Sequence, residues 1–371
     1  MNLLALEPYY GGSHRAFLDG WAAYSRHRFT ILGLPPHNWK WRMRHAALSL
    51  AQQVDSLPTH EPPFDLLFCS DMLNLAEFIG LTGLPFNKLP SVAYFHENQL
   101  TYPVRQESER DLHFGMTNFT TAVAARQIWF NTAFHRDSFL DALKRMLKKM
   151  PDYNCLEYVD QIRAKSQVLP QGIEPMPERK KRLPGPTRLL WVARWEFDKN
   201  PEMFFDALFQ LAEAGVDFKV DVIGQQFERV PEIFEQARSR LGDCIGRWGY
   251  QTNREEYIQA LGEADIVVST ADHEFFGVSI IEAVAAGAFP LLPERLSYPE
   301  LFGLGDRPEA SDFFYDGSAD GLVSRLQELL DRTRLGRLWE DNSVRRCIVE
   351  SFYWKNLAPR LDDAIERVVQ K

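Results

Sequence analysis

Long apolar runs are missing from this chain of 371 residues, and so are closely spaced cysteines. No stretch approaches the ~18 consecutive apolar residues that a bilayer-crossing helix needs, which reads against a membrane-spanning segment. The start, Met1-Asn2-Leu3-Leu4-Ala5-Leu6-Glu7, lacks a basic secretory n-region and reads as a first buried strand. Cys69, Cys155, Cys244 and Cys347 stand far apart, with neither zinc-ligand spacing nor a disulfide framework, so a reducing cytoplasm is the expected setting. There is no G-x-G-x-x-G turn and no phosphate-binding P-loop, which counts against dehydrogenases and ATPases. Excess positive charge is lacking too: the net charge of −9 excludes a generally basic nucleic-acid binder.

What is present is a 45% hydrophobic, 25% charged and 13% aromatic composition, that of a globular protein with a large core. The charge is uneven, +3 over residues 1–183 and −12 over the remainder, so the two halves should meet different partners.

Short β-branched and aromatic runs alternate with helical patterns throughout. Strands are predicted at 2–7, 29–34, 65–69, 91–95, 127–131 and 167–169, then at 188–193, 218–224, 245–248, 265–270, 288–292 and 312–315. Their continuous hydrophobicity suits parallel strands covered on both faces. The basic, Pro/Gly-rich stretch Arg179-Lys180-Lys181-Arg182-Leu183-Pro184-Gly185-Pro186 interrupts both periodicities. The expected layout is α/β, with two Rossmann-like doubly wound parallel-sheet domains facing an interdomain cleft. Residues 1–175 form the first domain, 176–186 a linker and 187–355 the second; a final helix at 356–371 packs back on the first. Ligands of such sheets lie beyond the carboxyl ends of the strands, so chemistry is sought directly after each strand.

In the second half, Arg194-Trp195-Glu196-Phe197-Asp198-Lys199 follows the strand at 188–193. An arginine fork and a lysine point charge at a strand end could clamp a diphosphate, or form an ordinary surface loop with an Arg–Asp pair. After the strand at 265–270 comes His273-Glu274-Phe275-Phe276-Gly277-Val278, opening a helix that carries Glu282. Amides of Phe276, Gly277 and Val278 could face an anion at that helix start. Glu274 could reach a sugar hydroxyl and Glu282 a ribose diol; the plainer alternative is one capping and one solvated glutamate. No Asp-x-Asp metal motif is present, consistent with cationic side chains in place of a metal.

In the first half, Gly11 and Gly12 precede Ser13 and His14 after the first strand, a turn that admits close backbone approach or simply needs a positive φ. His96 and Asn98 follow the strand at 91–95. Lys40, Trp41, Arg42 and Arg44 interleave cations with indoles, suited to stacking on bases or to a helix start with core tryptophans. Arg110 and His113 lie in a second unusual stretch, and the runs at 144–149 and 179–182 are further basic candidates, the first of which also fits a solvated helix face.

Together, the Arg194/Lys199 and Glu274/Glu282 segments resemble the signature of retaining GT-B glycosyltransferases of the family-4-like group. The resemblance assigns Arg194 and Lys199 to the donor diphosphate, Glu274 to the sugar, Glu282 to the ribose and Tyr250 to the nucleobase border. It places His96 at the reaction centre. More specifically, Tyr94-Phe95-His96-Glu97-Asn98-Gln99-Leu100, His273-Glu274-Phe275-Phe276-Gly277 and Tyr298-Pro299-Glu300 are similar to the tRNA-queuosine mannosyltransferases. That likeness implies a metal-independent enzyme with no resident cofactor, moving mannose from GDP-mannose to queuosine in a tRNA anticodon. The acceptor side would then draw on His14, Lys40, Trp41, Arg42, Arg44, Asn98, Arg110 and His113, with no membrane partner. A GT-B enzyme using another nucleotide sugar on a lipid or polysaccharide is the alternative reading.

Overall fold

The computed structural model describes residues 1–57, 63–177, 179, 181–227, 229–339 and 342–370. The chain divides into two units, Met1–Gly172 with Phe352–Lys371, and Ile173–Ser351.

The first unit holds six parallel strands: β1 (Asn2–Glu7), β2 (Arg28–Gly33), β3 (Leu66–Ser70), β4 (Ser91–Phe95), β5 (Gln127–Phe130) and β6 (Ser166–Val168). They are ordered β2-β1-β3-β4-β5-β6. The even-numbered residues Leu4 and Leu6 pack with Leu67, Ala93, Phe95 and the helices Trp39–Asp55, Leu112–Ala124 and Ala133–Leu147. Their odd-numbered neighbours Leu3 and Ala5 face Phe17, Trp21, Phe68, Tyr94 and the last helix, Trp354–Gln370. Burial on both faces is why these strands read as unbroken apolar runs.

The last helix belongs to this first core. Gly20 and Gly172 leave room for its Trp354: a Cβ on either would come within 2.2 Å or 2.4 Å of the indole. Asp362 is fully buried, and its carboxylate accepts from Trp21 Nε1 (2.8 Å), Ser25 Oγ (2.7 Å) and the Arg26 amide (2.9 Å).

The second unit holds β7 (Thr187–Val192), β8 (Phe218–Ile223), β9 (Ile245–Gly249), β10 (Ile266–Val268), β11 (Phe289–Pro293) and β12 (Phe314–Tyr315), in the order β12-β11-β10-β7-β8-β9. Two strands are shorter than their sequence suggests. Around β10, Asp265 accepts the Arg188 amide and pairs with Arg179 and Arg182, while Thr270 Oγ1 donates to the Lys199 carbonyl. Before β12, residues Pro308–Phe313 wind into a 3-10 turn. In each sheet the chain reverses direction of travel across the sheet, between β1 and β3 and between β7 and β10, which leaves a crevice at the carboxyl ends of those neighbours.

Removing the Asp362 carboxylate strands three buried or half-buried donors. Asp362→Ala should cost about 2–4 kcal/mol of unfolding free energy in the first unit, read by denaturant titration.

Candidate active site

The densest polar structure in the second unit joins the loops after β7 and β10. Trp195 fixes the first loop by stacking on Phe234, ring centroids 4.1 Å apart, and by donating its amide to Gln225 O (2.9 Å). The next residues form the turn Phe197–Lys199, and Asn200, in the left-handed region at φ 49°, caps the following helix through Met203 N. The Asp198 carbonyl accepts the amides of Asp272 (2.9 Å) and His273 (3.2 Å) from the second loop.

Side chains close the same seam. Lys199 is only 6% exposed; its Nζ donates to the His273 carbonyl (2.6 Å) and lies 3.2 Å from Asp198 Oδ2 and 3.3 Å from Glu274 Oε2. Arg194, more accessible, pairs with Glu196 (2.9 Å) and reaches 3.9 Å from Asp198. Burial alone would raise the Glu274 pKa, but the Lys199 charge and the Phe276 amide outweigh it and hold the carboxyl below its ordinary value. The Lys199 charge also works with burial to press His273 down to about 4, so that imidazole is neutral.

The Phe276 amide differs from the expectation of three anion-facing N–H groups, because it donates to Glu274 Oε1 (3.3 Å). Those of Gly277 and Val278 remain at the start of the helix Val278–Ala286. Gly277 is required there: its φ is 82°, and a Cβ would lie 3.1 Å from the Tyr298 ring. Glu282 sits in that helix and is nearly buried, with Oε1 accepting from Arg254 Nη2 (2.8 Å) and Oε2 from the Tyr257 hydroxyl (2.7 Å). Sequence reasoning missed both partners, which stand at i and i+3 on the helix Arg254–Glu263. It also missed Arg295, which binds Asp272 (2.7 Å) and the carbonyls of Thr270 and Ala271. Tyr250 follows β9 and is 63% exposed.

In the first unit, β1, β3 and β4 end on a buried charged cluster. Glu7 Oε1 accepts from the Tyr9 amide (2.9 Å) and Ser70 Oγ (2.9 Å), and lies 3.2 Å from His14 Nδ1. The His14 ring lies against His96, centroids 4.0 Å apart. Asp71, which the sequence did not single out, is fully buried and accepts the His96 amide (2.9 Å); its Oδ2 and His96 Nε2 have no hydrogen-bond partner among the described residues. Burial opposes charge on His14, but Glu7, with Asp71 and Glu97, overrides it and raises the imidazole to about 9. Burial and then the charges on His14 and His135 hold His96 well below its usual range. The geometry therefore places one imidazolium against one neutral imidazole. Among the described residues, Glu7, His14 and His96 are the grouping that could converge on a cation, their donor atoms lying within 4.8 Å. A protonated His14 competes with that use, having no lone pair to give.

Gly11 is extended and packs on Pro36, 2.4 Å from a would-be Cβ, whereas Gly12 takes φ +52° with open space around it. Lys40, Trp41 and Arg44 are exposed on the first turns of the helix Trp39–Asp55, and His113 is exposed at the start of Leu112–Ala124. Three acceptor-side candidates are engaged by the protein itself. Arg42 is 8% exposed and turns inward, donating to Pro35 O (2.8 Å) and contacting His45 and His37. Asn98 is fully buried, its carboxamide oxygen accepting from Leu100 and Thr101 of its own loop. Arg110 spends its guanidinium on Tyr102 O, Gln99 O and Glu107. The basic runs also resolve as scaffold or solvated surface. Arg179 and Arg182 clamp Asp265, Lys144, Arg145, Lys148 and Lys149 are exposed around buried Met146 and Leu147, and Lys180 lies outside the described residues.

The His14 pKa is raised on folding, so the stability it contributes is fully present below about 6.5 and is lost as pH rises through about 9. The difference in unfolding free energy between the parent protein and His14→Phe should therefore shrink on going from about pH 6 to about pH 9.5. A difference that stays constant would show that His14 carries no extra proton.

Comparisons with known proteins follow the same division. Residues 2–173 match the family described as tRNA-queuosine alpha-mannosyltransferase N-terminal, and residues 174–345 match glycosyl transferases group 1. The chain is 36% identical over 378 residues to the tRNA-queuosine alpha-mannosyltransferase of Drosophila melanogaster, covering 99% of this chain and 97% of that one. It is 30% identical over 178 residues, 47% of this chain and 42% of the other, to a GDP-mannose-dependent alpha-(1-6)-phosphatidylinositol dimannoside mannosyltransferase of Mycobacterium tuberculosis. In fold it is similar to a sucrose-phosphate synthase from Thermosynechococcus elongatus, with a TM-score of 0.72 at 15% identity and 100% of both chains covered. A glycosyltransferase from Rickettsia africae gives 0.67 at 14% identity, over 100% of this chain and 98% of that one. No helix among the described residues is long and apolar enough to cross a membrane. Two parallel six-stranded sheets and a near full-length relative at this identity place the chain in the tRNA-queuosine alpha-mannosyltransferase family, on the GT-B fold.

Proposed function

We propose that this protein transfers mannose from GDP-mannose to queuosine in a tRNA anticodon, with retention and without a metal ion. The observation that carries the reading is the seam after β7 and β10, where Arg194, Lys199 and Glu274 meet at the start of a helix. Arg194 and Lys199 bind the diphosphate, with the amides of Gly277 and Val278 and the helix dipole adding to the field. Glu274 orients the sugar hydroxyls, Glu282 takes the ribose diol and exposed Tyr250 borders the base. By the family resemblance, His96 contacts the donor sugar, and the turn at Gly11 and Gly12 admits a ligand close to its backbone.

In the transfer, the bond between the anomeric carbon and the β-phosphate oxygen breaks, and its electron pair leaves with GDP. The acceptor oxygen bonds to the same carbon on the same face, and its proton passes to a phosphate oxygen. The groups that speed this step are those that bind the growing phosphate charge more strongly than the ground state. Glu274 is not required as a general base on this route.

Arg194 is the cleaner probe because it is not buried. Arg194→Ala should lower turnover by about 10²–10³ with the fold retained. The assay is transfer of label from GDP-mannose to queuosine-containing tRNA, with queuosine-free tRNA as control. Full activity in EDTA is expected; loss of activity that added Mg²⁺ or Mn²⁺ restores would remove the metal-free route. Label appearing in lipid and not in tRNA would overturn the acceptor.

A further inference from the structure

Two helix starts in the first unit come together on a surface that the transfer chemistry does not use. Trp39, on the helix Trp39–Asp55, meets Phe114, on the helix Leu112–Ala124, at a centroid distance of 5.1 Å. Arg44 lies over the same Phe114 ring at 4.7 Å. Below them Met43, Met72 and Phe114 form a small buried cluster. The pair is thus braced from beneath, with Lys40 over the Trp39 ring (5.6 Å) and Arg44 over Phe114.

The two helix starts combine exposed aromatic, apolar and cationic groups. Trp41 is 61% exposed although its ring rests on His45, centroids 4.9 Å apart. On the second helix, which meets the first at Phe114, Met116 and Leu112 are exposed at 37% and 45%. Neither Lys40 nor Arg44 forms an ion pair with a carboxylate among the described residues, whereas the linker arginines and Arg110 are consumed by such pairs. An indole held on an imidazole is a stacking platform, and two exposed cations a turn apart, stacked on rings but paired with no carboxylate among the described residues, supply phosphate contacts. Exposed large apolar side chains on the two helices are limited to Trp41, Leu48, Leu112 and Met116, with exposed Lys40, Arg44 and His113 among them, so they form no continuous apolar stripe of the kind membrane docking needs.

We propose that Lys40, Trp41 and Arg44, with His113 and Met116 alongside, form a docking surface for a single-stranded RNA loop. One unstacked base lies on Trp41 and the flanking phosphates meet Lys40 and Arg44. The inference rests on the RNA-acceptor reading above, and it deepens that reading by naming the surface that holds the loop.

The test is fluorescence anisotropy of the full chain with a labelled tRNA anticodon stem-loop, without donor. Trp41→Ala should weaken binding by about 5- to 100-fold, and Trp41→Phe should recover most of it, because the π-face is retained. Lys40→Gln/Arg44→Gln should reduce the slope of log affinity against log salt by about 1.4, two single-strand phosphates' worth. GDP affinity, measured by calorimetry, should be unchanged in all three variants. Unaltered RNA binding by Trp41→Ala overturns the proposal, as does Trp41-dependent sedimentation with anionic phospholipid vesicles in place of RNA binding. If the parent chain binds the stem-loop through Trp41 yet transfers no mannose to tRNA, the acceptor reading fails and the docking surface stands.

Discussion

A lysine ammonium enclosed between two carboxylates is the constraint on which the second unit is organised. Lys199 contacts Asp198 from its own loop and Glu274 from the loop of the neighbouring strand, and its Nζ also holds the His273 carbonyl. Desolvating that charge is costly, and the arrangement persists because three acceptors surround it. Backbone bonds from Asp272 and His273 to the Asp198 carbonyl make the seam rigid. Cationic and carboxylate groups are therefore fixed in position before any ligand arrives, which is the preorganisation that electrostatic catalysis depends on.

The first unit repeats the logic with different groups. Its charged centre also lies where the strand order reverses, at the ends of β1, β3 and β4. Glu7 confers the proton on His14, and His14 in turn helps deny one to His96. Two imidazoles in contact thus take opposite charge states, His14 held protonated chiefly by Glu7 and His96 held neutral chiefly by burial. A neutral imidazole keeps a lone pair, and a buried imidazolium keeps a positive charge near the strand ends. The His14 charge depends on Glu7, whereas burial keeps His96 neutral in either case.

The strand pattern was legible because parallel strands are buried on both faces, so Leu3 and Ala5 on one side and Leu4 and Leu6 on the other give one unbroken apolar run. Strand ends were less legible, since Asp265 and Thr270 also make side-chain bonds, to the Arg188 amide and the Lys199 carbonyl, that only the assembled loops provide. Arg42 could have been placed from periodicity: Arg42, Met43, Ala46, Ala47 and Leu50 form the buried stripe of their helix, leaving Lys40, Trp41 and Arg44 outside it. Asn98 and Arg110 could not, because their partners are carbonyls and amides of a loop with no sequence period. Arg254 and Tyr257 were hidden for a related reason, as they reach Glu282 only across a helix–helix contact. Asp71 carried a usable signal, a carboxylate immediately after a wholly buried strand.

The central claim is that Arg194 and Lys199 hold a pyrophosphate, and it is tested most directly by comparing GDP with guanosine in calorimetric titrations of the parent chain and Arg194→Ala. The account predicts that Arg194→Ala loses GDP affinity by about 10- to 100-fold, one charged phosphate contact's worth, while weak guanosine binding is unaltered. Equal GDP affinity in the two proteins would contradict it.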